Sequence, residues 1–362
     1  MKIVSEDPLR EQWRMLSQYA YSRNVKKYFE EKGIASYDDA TVEFISGSIL
    51  QGESYFQAAR TASLHIKPLL VYYGTSNLMA GAAAMLTGKV PGVKSHGMKL
   101  TTPDQKQGEF LIAEMAIHII DPKIGALHGF NSVFSECPLI GSPDWTVEEI
   151  FGSVPDLLLD FENCYPNAKP YVIPVEIVRA RGGVIERISP ESLRRFSSID
   201  EALAQIDNLS KSYLPLQYSE QMTHIVLRTK KTSTSDIGVY SLSGRKYLQL
   251  VHEKRNTRYN ISTLIIMFMG LYALSVLSRY NPERWNPFVK NDSTGEKLLV
   301  EKFLDLSERY IPNLIINYLK SERVMFVYES DGYVDLASRL TEHDLKYILD
   351  QRFEEFSKRE RR

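Results

Sequence analysis

Residues 261–278 read ISTLIIMFMGLYALSVLS, eighteen positions without a charge, and run directly into RYNPERW at 279–285. An apolar run of this length that stops at Arg279, Glu283, Arg284, Tyr280 and Trp285 reads as a helix buried along its length and pinned at its end by polar chemistry. Such a run sits at the lower edge of what spans a bilayer. Ser262, Thr263, Gly270, Tyr272 and Ser275 interrupt it, and Arg255 and Arg258 before it balance Arg279 and Arg284 after it, so charge favours neither orientation. The segment is therefore expected to be a core helix of a non-membrane protein.

Working outward, the 362-residue chain exceeds what one hydrophobic core usually serves, so two lobes or one domain with a sizeable insertion are expected. Hydrophobic residues at 43% and charged residues at 25% exclude wholesale disorder. A net charge of −1 leaves no global basic field, so nucleic-acid binding would need a local patch. Cys137 and Cys164 cannot build a disulfide framework, and neither has a second Cys or His at metal-ligand spacing. With no basic-then-apolar leader pattern in MKIVSED at the start, a reducing, cytoplasmic setting is the expectation.

The first 165 residues read as helical. Residues 6–32 form one amphipathic stretch ending at Gly33, and Asp38-Asp39-Ala40-Thr41 offers a cap for a helix over 42–50. Helical spacing resumes at Ser54, and Pro68 marks a kink or a fresh start for 69–85, where Gly74, Gly81 and the Ala80–Ala84 run predict close helix–helix approach. Residues 93–145 are turn-rich and carry no assignment, and 155–161 look helical. Residues 166–258 form a mixed region in which 171–178, 223–228, 239–242 and 246–251 alternate like strands of a small antiparallel sheet, with a helical segment over 190–209. Residues 259–345 return to long helices, including 296–318, expected to pack on the N-terminal part, and 346–362 is a charged tail. The fold class is α+β, predominantly α-helical.

Three ordered blocks resemble the YaaC-like family of bacterial proteins: KPLLVYYGTSNL at 67–78 with SHGM at 95–98, EIFGSVPDL at 149–157, and LSVLSRYNPERW at 274–285. The resemblance spans roughly residues 50–320 and implies a soluble protein. The helical part over 1–165 is also similar, distantly, to HEPN bundles. That likeness implies RNA binding or cleavage and a place in toxin or antiphage systems, by fold analogy alone.

Candidate chemistry falls into four groups. Arg60 and His65 have the R-x4-H spacing of HEPN ribonucleases: the His would take a 2′-hydroxyl proton and the Arg hold the phosphate, without metal. Five residues on a helix set the two side chains about 140° apart, so a dimer facing two motifs would have to complete the site. His96-Gly97 and His128-Gly129 are turn-borne His-Gly steps, and His96 with Lys67 and Tyr73 is the best pocket candidate. Arg279, Glu283 and Arg284 beside Trp285 read either as an anion site with a base-stacking ring or as an ion-pair knot locking the long helix. Lys230-Lys231, Arg245-Lys246, Lys254, Arg255 and Arg258, interleaved with Tyr240, Tyr247 and Tyr259, have the composition of a single-strand nucleic-acid surface, and equally of a solvated sheet edge. No phosphate loop, dinucleotide fingerprint, zinc-protease motif or hydrolase elbow occurs, and Asp156, Asp160 and Glu162 lack metal spacing, so no cofactor is expected. The leading expectation is a nucleic-acid- or nucleotide-associated protein of a bacterial defence or stress system, with RNA or a nucleotide as the partner. A dimeric metal-independent ribonuclease and a scaffold acting through a protein partner or homodimer are the alternatives.

Overall fold

The structure is a computed structural model, and it describes residues 1–103, 110–120, 125–135, 137–139, 142–180, 183–194, 196, 198–206, 209–213, 225–227 and 238–328. Lys230, Lys231 and the charged tail over 346–362 lie outside the described residues. The fold is predominantly helical α+β, as the sequence predicts.

Strand β1 (Lys2–Ser5) leads into α1 (Pro8–Ser17), whose cap Asp7 accepts from the Arg10 N–H at 3.0 Å. The single helix expected over 6–32 is broken by a 3-10 turn at 18–20 and an extended Tyr21 before α2 (Ser22–Lys32). Buried Tyr19 packing edge-on against Tyr28 and the Asn24 amide donating to the Gln18 carbonyl at 2.8 Å close that corner. Asp38 caps α3 (Asp39–Arg60) through the Thr41 N–H at 2.7 Å. This helix runs unbroken past residues 50–54, because Ile49, Gly52, Phe56 and Ala59 continue one buried stripe. Pro68 begins α4 (Lys67–Thr87) afresh, in the first turn where a missing N–H costs nothing. α3 and α4 touch closely: a Cβ on Gly74 would meet the Phe56 ring at 2.9 Å, and one on Gly81 would meet Ser48 at 3.0 Å.

The turn-rich region holds β2 (Met98–Thr101), β3 (Ala116–Ile119), α5 (Ala126–Phe134) and β4 (Trp145–Thr146), the strands forming one antiparallel sheet. A capping box between Thr146 and Glu149 starts α6 (Val147–Phe151), and α7 (Leu158–Cys164) follows. The mixed region contributes β5 (Val172–Ala180), β6 (Gly183–Ile188), α8 (Ile199–Ala204), α9 (Leu209–Ser212), β7 (Ile225–Leu227), β8 (Gly238–Tyr240) and β9 (Lys246–Gln249). Its antiparallel sheet has the order β7-β6-β5-β9-β8, and the helix expected over 190–209 is split into a 3-10 turn and two short pieces. A hairpin of β10 (His252–Lys254) and β11 (Thr257–Tyr259) turns at Arg255-Asn256, where φ is +48° and +61°.

The segment that opened the reading is α10 (Thr263–Tyr280), of whose 18 residues 14 are buried. Asn281 interrupts it, α11 (Pro282–Asn291) and α12 (Glu296–Lys320) follow, and β12 (Met325–Tyr328) pairs in parallel with β1. α4 and α10 are long and apolar enough to cross a bilayer, yet the protein itself covers 61% and 78% of their apolar windows. They are the centre of a large core running from Trp13 to Phe326, and a smaller core, Ile173 to Leu250, lies against the five-stranded sheet. Fully buried Glu296 ties α12 to the preceding chain, accepting from the N–H groups of Ile112 (2.7 Å) and Ala113 (2.9 Å) and from the Tyr165 hydroxyl (2.6 Å).

Candidate functional site

Where α10 ends, its last turn lies against the first half of α4, and a row of rings and one cation forms across the junction. Tyr55 of α3 stacks on Tyr73 of α4 with centroids 5.9 Å apart. The Arg279 guanidinium donates to the Tyr73 hydroxyl at 2.6 Å and lies 5.8 Å from that ring and 4.2 Å from the ring of Tyr280. Tyr280 is 64% exposed, so the row opens to solvent at this end. Arg279 has no carboxylate partner among the described residues, and its buried Nε has no hydrogen-bond partner. An arginine this enclosed is ordinarily matched by an acid; here two tyrosines stand in for one.

Behind the row stands His96, whose Nδ1 is 2.7 Å from the Tyr72 hydroxyl. Burial, with smaller contributions from neighbouring tyrosines, pushes the Tyr72 phenol up, so it keeps its proton and donates to Nδ1, which leaves the His96 proton on Nε2. Burial and then the charge of Arg279 lower the His96 pKa, so the ring is neutral at pH 7. Tyr272 packs on both Tyr72 and His96 and anchors itself by donating to the Met98 carbonyl at 2.7 Å. The two His-Gly steps meet. Gly97 has φ +74°, and a Cβ on Gly125 would stand 2.5 Å from the Gly97 Cα, so only glycine permits this crossing. The Leu127 N–H donates to the His96 carbonyl at 3.2 Å, which fixes the backbone that carries the ring.

Of the residues singled out from sequence, Tyr73, His96 and Arg279 come together here. Lys67 does not join them: it begins α4, and its ammonium is held by Asp305 (2.6 Å) and Glu308 (2.8 Å). Burial works against that charge, and the two carboxylates outweigh it, so its pKa rises overall. Arg60, exposed at the end of α3, leans on the same Glu308 at 4.0 Å, while His65 lies half-buried in the turn between α3 and α4. The ion-pair knot expected of Arg279, Glu283 and Arg284 does not form, because Asn281 breaks the helix between them. Arg284 instead donates to the Pro103 carbonyl at 3.2 Å and lies over Phe110, and exposed Glu283 accepts, among the described residues, from Asn281. Trp285 is 1% exposed and stacked on Phe288, so it offers no face to a base.

Two of the described cations of the basic series, Lys246 and Lys254, are neutralised, while Arg245, Arg255 and Arg258 stay exposed. Lys246 is buried on Glu186 at 2.9 Å, and Lys254 is held by Glu149 at 2.6 Å and by the Asp144 carbonyl at 2.8 Å. Exposed Arg258 donates to the Ala204 carbonyl at 2.6 Å, and Arg255 stands exposed at the hairpin turn. Near this hairpin, Ser153 and His252 place Oγ and Nε2 3.0 Å apart, a pairing that resembles a hydrolase dyad. The His252 ring is 1% exposed between Tyr171 and Trp145, and its Nδ1 has no partner to orient it. Burial and then Lys254 push its pKa down to about 3, so it stays neutral packing material. No group of three or more His, Cys, Asp or Glu that could hold a metal occurs among the described residues.

Sequence reasoning missed Tyr55 and Tyr280 as members of the row, and Tyr72 and Tyr272 behind it. The signal was present in the Tyr72-Tyr73 pair and in Tyr280 directly after Arg279 at a helix end. Pairing them needs contacts across more than 200 positions, which no local spacing reveals: Arg279 and Tyr73 are 206 residues apart. No curated protein and no solved structure matches the chain. The model of the YaaC-like protein family matches residues 8–319, which takes in α1, the Tyr73–His96–Arg279 junction and nearly all of α12. The chain belongs to the YaaC-like family.

Proposed function

We propose that the protein binds a nucleobase-bearing ligand, a nucleotide or single-stranded RNA, at the row formed by Tyr55, Tyr73, Arg279 and Tyr280. The observation that carries this reading is the uncompensated Arg279, held in place by Tyr73 and stacked on an exposed Tyr280. A phosphate would supply the missing negative charge in a charge-assisted contact, a class that contributes about 1.5–3 kcal/mol. A base stacked on Tyr280 adds about 1–3 kcal/mol. Neutral His96 keeps an Nε2 donor nearby without adding a second charge. The setting implied by the resemblance, a non-membrane component of a bacterial defence or stress response, is part of the same proposal.

The test is fluorescence anisotropy with a labelled short single-stranded RNA and competition by a mononucleotide, at low and high salt. Binding should weaken steeply with salt, fall about tenfold or more in Arg279→Ala, and fall about fivefold in Tyr280→Ala. Absence of binding by the folded wild type, or equal affinity in both variants, sinks the proposal. RNA cleavage that survives Arg279→Ala and is lost in His65→Ala would move the function to Arg60 and His65.

A further inference from the structure

At the opposite end of α10 lies a cavity of about 690 Å³, enclosed by β8, the first turn of α10, the second half of α12 and β12. That volume is in the range of small-molecule sites. Among the described residues its lining contains one charged side chain, Arg323, and no carboxylate. Arg323 is exposed, lies 3.5 Å over the Tyr240 ring and forms no ion pair among the described residues. The first two N–H groups of an 18-residue helix, those of Thr263 and Leu264, precede any intrahelical partner. Ser262 caps the next turn instead, accepting from Ile265. The positive end of the helix and Arg323 thus border one concave space.

The polar lining keeps hydrogen-bonding capacity that neighbouring described residues do not use. Thr263 is 6% exposed, and its hydroxyl has no hydrogen-bond partner among the described residues. Asn313, 8% exposed, donates its amide to the Val324 carbonyl at 2.8 Å and leaves Oδ1 unused. Asn317 accepts from the Val324 N–H at 2.7 Å and leaves Nδ2 unused. Gln249 donates to the Ile261 carbonyl at 2.7 Å and leaves Oε1 unused. These unused atoms border the open volume and offer both donors and acceptors.

We infer that this cavity binds a small organic anion. Its phosphate or carboxylate sits at the N-terminus of α10 beside Thr263 and Arg323. Its body lies against Tyr310 and Leu314, with the unused amide atoms of Asn313, Asn317 and Gln249 reading its polar groups. Sixteen residues of α10 separate Thr263 from Arg279, a rise of about 24 Å. The inference shares no residue with the Tyr73–Arg279 row, so each can fail alone.

The test is calorimetric titration of the full chain with phenyl phosphate, benzoate and phenol, in wild type, Arg323→Ala and Thr263→Val. Phenyl phosphate or benzoate should bind at least about tenfold more tightly than phenol, and each variant should weaken that binding about tenfold. Arg323 is exposed, so its variant keeps the fold, and circular dichroism with the urea unfolding midpoint verifies this in both. Tighter binding of phenyl phosphate assigns a phosphate, and tighter binding of benzoate assigns a carboxylate. No binding of either at millimolar concentration, equal binding of phenol, or unchanged affinity in both variants overturns the inference.

Discussion

The molecule contains two histidines that each sit beside a hydroxyl and near a cation. His96 has Tyr72 at 2.7 Å and Arg279 nearby; His252 has Ser153 at 3.0 Å and Lys254 nearby. Burial lowers the pKa of both rings. The contrast lies in what surrounds the cation. Lys254 is enclosed by Glu149, the Asp144 carbonyl and the face of Trp145, so that charge is spent inside the protein. Arg279 has no carboxylate partner among the described residues, is held by Tyr73 and reaches the exposed ring of Tyr280. Two similar sets of side chains are thus a packing knot in one place and a binding junction in the other, and residue type alone does not separate them.

The sharpest way to break this comparison is to remove each ring. His252→Ala takes away the side chain stacked 3.8 Å from Tyr171 and leaves a cavity, so a loss of about 3 kcal/mol in urea unfolding is expected. His96→Ala, half-buried, should cost about 1 kcal/mol; a larger loss than that of His252→Ala would undo the distinction. Next come the cations. Lys254→Met leaves Glu149 partly buried and unpaired and should cost about 2 kcal/mol without touching RNA affinity. Arg279→Ala should show the reverse pattern, with affinity lost and stability nearly kept.

Acid sharpens the comparison further. His252 titrates near its ordinary value of 6.5 when unfolded and at about 3 when folded, so the unfolded chain binds the extra proton. Stability from this residue is full above about pH 6.5 and declines toward pH 3, by at most about 1.4 kcal/mol per pH unit. His252→Phe should flatten that slope in unfolding midpoints measured between pH 7 and 4, whereas an unchanged slope would assign the acid sensitivity elsewhere. The smallest effect belongs to Arg255, held at φ +48° on the hairpin turn. Arg255→Gly should raise stability by about 0.5 kcal/mol and leave RNA affinity alone, and a clear loss of affinity would return the hairpin to the binding surface.

Much of the helical frame was legible because its signals are local. The Asp38 cap, the Pro68 start, the Gly33 end and the apolar run of α10 are each readable within a few residues. β2, β3 and β4 were not, since strands of four, four and two residues give alternation too little length to register. The division of 6–32 into two helices depends on Tyr19 finding Tyr28, a tertiary preference that overrides spacing. At the candidate site, the motifs brought forward Tyr73, His96 and Arg279, but spacing also suggested that Arg279 would pair with Glu283, and the break at Asn281 prevents it. Which cations are neutralised is decided by partners such as Glu149 for Lys254, 105 positions away, and charge density along the chain carries no trace of that choice.

The parallel pair of β1 with β12 has a consequence for the order in which the molecule is assembled. Lys2–Ser5 can find its partner only after Met325–Tyr328 has been made, since the two register residue for residue. During synthesis the first strand waits with an unpaired edge while the helices between are laid down. Its pairing is a long-range closure, one whose entropic cost is met only once the intervening core is already compact. A substitution that weakens β12 would therefore slow that closure and leave the early edge open to other strands for longer.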